Sequence, residues 1–375
     1  MIRRLAALTL LLCVVLTGAA RAADCPAPAS REDGWTVAAP ETVGLDGAIL
    51  CSMVDRLRDW KDANVHAVVV SREGKLVFER YFSGSDEVWG SPRGVVEFDA
   101  GRLHDLRSVS KSLTSLLVGL AIARGKLAGV GEPVVKFFPE YADLDTPERR
   151  RITVRHLLTM SAGLAWDESI SYSDPANSEI RMIRAPDGDR FALEQPIVAE
   201  PGRLYNYSGG GTALLGAIVR KTTGQPLDQF AREALLTPLG IVDFEWLGLP
   251  GKGPAAASGA RMRPRDMLKL GQLVLAKGQW NGREIVPAAW IAESTAPHIT
   301  GSGTFFYGYQ WWLGRTWHDS REIKWVAGVG LGGQRIFIVP DLDLVVVTTA
   351  GMYRSPLQGP VPLEILNQYV LRAVK

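Results

Sequence analysis

The chain has 375 residues, 46% of them hydrophobic and 22% charged, with a formal net charge of +2. These are the proportions of a globular protein with ample sequence for a core, in one large domain or two lobes. So even a charge balance gives no reason to expect a nucleic-acid partner.

The first 22 residues read as a secretory signal. Arg3 and Arg4 form a basic start, Leu5 to Leu16 an apolar run, and Ala20-Arg21-Ala22 the small-residue pattern of a cleavage site. The apolar run is short for a membrane span. Cleavage after Ala22 is expected, leaving a periplasmic or secreted protein without stable membrane insertion. It removes Arg3, Arg4 and Arg21, which takes the net charge from +2 to −1. Cys13 leaves with this segment. Cys25 and Cys51 remain, either as free thiols or as a disulfide pinning the N-terminal arm to the first helix.

Leu45, Ile49, Met53, Leu57 and Trp60 recur at helical spacing. Residues 66–71 and 76–82 then read as two strands joined by the turn Arg72-Glu73-Gly74-Lys75, a β-hairpin. Ser83 to Asp105 is expected to be mostly loop. Arg107 to Gly125 reads as a helix that is apolar or small on every side from Leu116 to Ala123 and closes on Arg124-Gly125. A short segment follows at 132–138, ended by Pro139, and then a helix over 153–160. Residues 166–200 are polar, acidic and interrupted by Pro175, Pro186 and Pro196, as a lid or rim would be. Helices are predicted over 210–223, 226–236, 264–275 and 287–294. Strand-like runs at 324–327, 334–339 and 344–349 precede a last helix over 362–374.

Strands at both ends with helices between predict an α/β (α+β) architecture. One antiparallel sheet would draw on both termini, with helices on its faces and a mostly helical lobe inserted. The sheet lobe would comprise about 23–105 and 262–375, and the helical lobe about 126–261, within a single domain spanning 23–375.

Several chemistries lack their signature. The five histidines (66, 104, 156, 298 and 318) show no helical pairing, so no metal and no cofactor is predicted. There is no G-x-S-x-G elbow. Gly328 to Gly333 matches G-x-G-x-x-G but is followed by a strand-like run, the wrong context for a dinucleotide. What remains is Ser108-Val109-Ser110-Lys111, at the start of the most apolar helix. Residues three apart on a helix share a face, so hydroxyl and amine would be neighbours. Burial and the helix dipole should both lower the Lys111 pKa, leaving a neutral amine able to take the serine proton.

These residues, with R-H-L-L-T-M-S-A-G-L-A-W at 155–166, P-G-R-L-Y-N-Y-S-G-G-G-T at 201–212, Y-G-Y-Q-W-W at 307–312 and G-L-G-G-Q-R-I at 330–336, resemble the penicillin-recognising serine hydrolases. That group holds class C β-lactamases, D-alanyl-D-alanine peptidases and related esterases, and the resemblance is nearest to its 6-aminohexanoate-dimer hydrolase-like branch. It implies a β-lactamase/transpeptidase-like fold with Ser108 as nucleophile and Lys111 as proton acceptor. It also implies Tyr207, rather than the neighbouring Tyr205, as the tyrosine of the Y-x-N element. The third element falls on Gly330-Leu331-Gly332, expected on a strand, where the Leu331 N–H would complete an oxyanion hole with that of Ser108. Trp166, Asp167, Glu168, Tyr172 and Gly332 are placed near substrate by the same resemblance.

Two departures narrow the reading. The asparagine of Y-x-N is Gly209 here, and the third element lacks the cation that helps hold a substrate carboxylate in peptidases and β-lactamases. The expected activity is therefore hydrolysis of a small-molecule carboxylic ester or small amide through an acyl-enzyme on Ser108. The alternatives are a D-alanyl-D-alanine peptidase or β-lactamase, and a catalytically silent binding protein on the same fold.

Overall fold

The computed structural model describes residues 26–249 and 251–375. Residues 1–22, expected to be a secretory signal, and Cys25 lie outside these residues. Cys51 is buried and disulfide-bonded.

The first elements are β1 (Thr36–Val37), α1 (Gly47–Asp59), β2 (Val65–Arg72) and β3 (Lys75–Tyr81). A small hairpin, β4 (Gly84–Val88) and β5 (Ser91–Val96), precedes β6 (His104–Asp105) and α2 (Val109–Ala123). The central region holds α3 (Val154–Leu158), α4 (Ser178–Arg184), α5 (Gly188–Glu194), α6 (Gly209–Thr223) and α7 (Leu227–Ala231), which runs into a π-turn over Arg232–Leu236. Then come β7 (Phe244–Trp246), β8 (Ala260–Met262), α8 (Pro264–Leu275), β9 (Gln279–Trp280), β10 (Arg283–Glu284) and α9 (Ala288–Ser294). The chain ends with β11 (Ile299–Thr300), β12 (Phe306–Tyr307), β13 (Trp312–His318), β14 (Arg321–Gly330), β15 (Gln334–Val339), β16 (Leu344–Ala350) and α10 (Pro360–Glu364), which continues as a π-turn over Ile365–Val370.

Nine strands form one sheet in the order β1-β3-β2-β16-β15-β14-β13-β12-β11. Every pairing is antiparallel except that of β1 with β3. The two chain ends meet at β2 and β16, whose residues are buried almost throughout because helices cover both faces. On one face Val68, Val70, Phe337 and Val346 pack with α1 and the C-terminal helix; on the other Val69, Ile336, Val345 and Val347 pack with α2 and α8. Alternate residues of one strand therefore serve two cores. Among the described residues no helix is long and apolar enough to cross a membrane.

Helix α2 is the axis of the second core. Every residue from Val109 to Ala121 is buried. Gly119 is required where α9 crosses it, because a Cβ there would lie 2.4 Å from the Trp290 indole. Three of its four hydroxyls are paired, Ser115 Oγ being the exception: Thr114 Oγ1 donates to Ala256 O (3.0 Å), Ser112 Oγ donates to Gln310 O (2.7 Å), and Ser110 Oγ accepts from Ala260 N (3.1 Å). The polar residues of an otherwise apolar helix thus fasten the 256–260 segment and Gln310 to it.

One sequence expectation fails: Ser83 to Asp105 is mainly the β4–β5 hairpin and β6, not loop; residues 166–200, read as a lid or rim, contain α4 and α5. The hairpin is built on Trp89 and Gly90, both at positive φ (45° and 88°), and Trp89 N donates to Asp105 Oδ2 at 2.6 Å. Its strands are largely exposed, so they carry no apolar alternation to read.

Candidate active site

The chain enters α2 through a strained residue. Arg107 has φ +50°, which a side chain with a Cβ adopts only when its surroundings over-determine it. Its guanidinium meets Glu87 Oε1 at 2.8 Å and Asp105 Oδ2 at 3.2 Å, and stacks 4.7 Å from the Tyr353 ring centroid. Ser108 follows at the N-cap, half-buried, and its hydroxyl caps no backbone N–H. It accepts a hydrogen bond from Lys111 Nζ at 3.1 Å, and the same ammonium donates to Ala257 O at 3.1 Å. The Lys111 side chain is buried.

Tyr207 comes from the segment leading into α6, which Ser208 caps by accepting from Gly211 N. Asn206 holds that segment in place: its N–H donates to Met160 O (2.7 Å) and its side-chain amide to Trp166 O (3.0 Å). Lys111 Nζ lies 4.9 Å from the Tyr207 ring centroid, and Lys111 and Ser108 both act to lower the Tyr207 pKa, as neighbours of its hydroxyl do. Tyr205 instead packs edge-on against Tyr307 (5.3 Å) and Trp312 (6.0 Å), with its buried hydroxyl unpaired. Ser108, Lys111 and Tyr207 form one contact set, and Tyr205 is outside it.

The electrostatics differ from the sequence expectation. Burial lowers the Lys111 pKa, but Tyr207, Glu179 and Glu168 act against it and prevail, so the amine is held above its usual range and keeps its proton at rest. Tyr207 is raised by burial, only partly offset by Lys111, and stays neutral. Glu179, buried at the start of α4, is pushed up to about 8 by burial and by the neighbouring Glu168, so near neutrality it keeps its proton. Glu168 is fixed by the Trp166 indole N–H, the Gly209 N–H and the Tyr172 hydroxyl (2.9 Å). The charge that keeps Lys111 protonated is thus itself built into the fold.

A model of the Beta-lactamase family matches residues 53–356, which include all three groups. The chain belongs to this family. It is 26% identical over 354 residues to the 6-aminohexanoate-dimer hydrolase of Paenarthrobacter ureafaciens, covering 86% of this chain and 81% of that protein. It is 29% identical over 227 residues to esterase EstB of Burkholderia gladioli, covering 54% of this chain and about half (53%) of that one. Among solved structures, EstCE1, a hydrolase with promiscuous acyltransferase activity, superposes with a TM-score of 0.66 at 20% identity, over 86% of this chain and 97% of its own.

Against the pattern of this family, Gly209 has a physical explanation. A Cβ there would lie 3.0 Å from the Glu179 carboxylate and 3.1 Å from Glu168 Oε2. The acid pair occupies the space an asparagine side chain would need. Sequence reading named Glu168 only as a pocket residue and gave Glu179 no role; nothing in their spacing marks them as partners.

Other expectations fare unevenly. Tyr172 reaches the site through Glu168. Trp166 is a core side chain against α6, where a Cβ on Gly210 would lie 2.5 Å from its ring. Asp167 is exposed and accepts from Ser169 N and Oγ in a surface turn. β14 ends at Gly330, so Leu331 to Gly333 form the turn into β15 and only the first residue of the third element is on a strand. The Gly332 N–H donates to Gln358 Oε1 (2.9 Å) and is unavailable to substrate. Arg335, the buried cation beside this turn, donates to the carbonyls of Gly330, Gln334 and Gln358. It pairs across from Val329, which packs in the core opposite α2, so it does not replace the absent lysine.

A cleft of about 380 Å³ opens nearby, lined by Trp89, Met182, Arg220, Lys252 and Ala256. None of Ser108, Lys111 and Tyr207 lines it. Trp312 is half-buried, and its ring lies 6.0 Å from that of Tyr207.

Proposed function

We propose that this protein is an exported serine hydrolase that cleaves a carboxylic ester or small amide through an acyl-enzyme on Ser108. The observation that carries the reading is the closed contact of Ser108, Lys111 and Tyr207 at the opening of a buried helix. The Ser108 hydroxyl oxygen attacks the carbonyl carbon, and its proton passes to the Lys111–Tyr207 pair after that pair has lost one proton to solvent. The same proton then goes to the leaving alcohol or amine, and water repeats the sequence in reverse to release the acid. The N–H of Ser108, with that of Leu331 or its neighbours at the end of β14, would receive the oxyanion. Export rests on the N-terminal signal pattern.

An ester or small amide is favoured over a β-lactam or D-alanyl peptide for one reason: the third element, Gly330-Leu331-Gly332, carries no lysine to hold a substrate carboxylate. The relatives named as an esterase and as a 6-aminohexanoate-dimer hydrolase fit that preference. The test is turnover across short-chain p-nitrophenyl esters, 6-aminohexanoate oligomers, D-alanyl-D-alanine peptides and nitrocefin, each with wild type and Ser108→Ala. Ester or oligomer hydrolysis that vanishes in Ser108→Ala is expected. A nitrocefin rate far above every ester would reverse the ranking, and full activity in Ser108→Ala would remove the mechanism.

A further inference from the structure

Away from the reacting groups, two histidines that are 38 residues apart in sequence meet inside the protein. His66 on β2 and His104 on β6 are both fully buried, and Asp86 on β4 joins them with its carboxylate almost covered. Their protonation can be worked out from what surrounds them. His104 Nδ1 lies 3.0 Å from the carbonyl of Asp105, which can only accept, so the His104 proton is on Nδ1. Asn64 Nδ2 donates to Ser85 O at 2.8 Å, which turns Asn64 Oδ1, another acceptor, toward His66 Nε2 at 3.3 Å. The His66 proton is therefore on Nε2.

The two nitrogens left over, His66 Nδ1 and His104 Nε2, are bare and face each other at 2.8 Å. Asp86 Oδ1 is 3.9 Å from His104 Nε2, and the three donor atoms lie within 4.8 Å of one another. Three electron-pair donors converging in a dry interior repel unless a cation stands among them. We propose that His66, Asp86 and His104 hold a divalent transition-metal ion, zinc by the chemistry of the donor set, as a clasp between β2, β4 and β6.

The surroundings are those of a ligand set. Each imidazole gives its outer N–H to an oxygen, as metal-bound histidines do, and the Tyr353 hydroxyl donates to Asp86 Oδ1 at 3.1 Å. Two nitrogens about 2.1 Å from a tetrahedral zinc stand roughly 3.4 Å apart, so the facing nitrogens, 2.8 Å apart here, would part by about 0.6 Å to take the ion. Phe98 stacks on His66 at 4.1 Å and excludes water from that side. The clasp also has a place in the activity. Glu87, next to Asp86, and Asp105, next to His104, are the two carboxylates that hold Arg107 in its strained conformation. Joining β4 and β6 through one ion would fix both, and Arg107 precedes Ser108. The ion would be structural, touching no substrate.

The test is the metal content of the full-length protein, produced in zinc-supplemented medium and desalted, measured by mass spectrometry for wild type, Asp86→Asn and His104→Gln. About one equivalent of zinc in the wild type and less than about a tenth in each variant is expected. Because the site is closed, the wild type is also unfolded with a chelator and refolded with or without Zn²⁺, and the zinc-refolded sample should melt several degrees higher. A wild type without zinc whose two refolded samples melt together would overturn the proposal and leave a proton between the histidines. Equal zinc in wild type and variants would overturn it too, by placing the metal elsewhere. If the variants fail to fold, the wild-type comparison decides alone.

Discussion

At the scale of single residues, contact distinguishes the groups proposed to react, Ser108, Lys111 and Tyr207, from their neighbours. Lys111→Ala removes the proton acceptor and should slow acylation roughly 10²–10⁴-fold, the range of general-base catalysis, in burst kinetics with a p-nitrophenyl ester. Tyr207→Phe should fall within about a factor of ten of that loss, whereas Tyr205→Phe, whose hydroxyl has no partner, should stay within about threefold of wild type. Equal losses in both tyrosine variants would show that the assignment by contact is mistaken. Glu179 sets the pH dependence. Its acid form persists up to about pH 8, and above that a second negative charge faces Lys111. Glu179→Gln removes that charge, so the rising limb of kcat/KM against pH should move to lower pH. Its sign for stability also follows. A carboxyl with its folded pKa raised binds more protons folded than unfolded, so its contribution declines from about pH 4.5 to 8. The variant should lose that decline, and an unmoved kcat/KM limb would show the acid pair to be a spectator.

Sequence reading reached Ser108, Lys111 and Tyr207 because each lies in a short motif whose spacing has a physical meaning. It set Lys111 beside Ser108, where the structure has it, but expected a neutral amine where the surroundings favour the charged one. Burial and dipole were visible from sequence, but Glu168 and Glu179 come from another element and outweigh them. Charge balance in a buried site is a tertiary property. The same holds for His66 and His104, which looked scattered until β2 and β6 brought them together.

At the scale of elements, the long and strongly patterned pieces were legible and the short, capped ones were not. Helices α2, α6 and α8 are 15, 15 and 12 residues long, and fall where apolar content and capping residues predict. By contrast α4 and α5 have seven residues each, start from the side-chain caps of Asn177 and Asp187, and bury few residues. Pro186 between them and the weak periodicity of the stretch hid both helices within what read as a lid or rim. The start of α6 gives a test at this scale. Gly209→Asn restores the residue type of the Y-x-N pattern but adds a side chain against the Glu168–Glu179 pair, and overpacking of this kind costs about 1–3 kcal/mol. A lower melting temperature is expected. An unchanged or higher one would mean that the acid pair yields and does not exclude the asparagine.

For the whole molecule, the antiparallel sheet drawn from both chain ends was readable because β2, β15 and β16 are dense in β-branched residues. Their order was not readable, since β2 meets β16 only through contacts more than 250 residues apart. Arg265 on α8 ties the same ends together. It donates to both oxygens of Glu79 on β3 (2.7 and 2.6 Å), to Asp33 (2.8 Å) and to Ala29 O (2.7 Å). Arg265→Ala would leave Glu79 buried without its cation, a loss of about 3–5 kcal/mol in equilibrium unfolding. A loss under about 1 kcal/mol would show that the N-terminal segment is not anchored this way.

Sheet, buried helix and acid pair converge on one hydroxyl, and its reactivity is the central claim. Folded protein treated with a fluorophosphonate and digested for peptide mass spectrometry should carry one adduct, on Ser108, and Lys111→Ala should label far more slowly. Folded wild-type protein with no adduct, or with the adduct on another serine, would contradict the account.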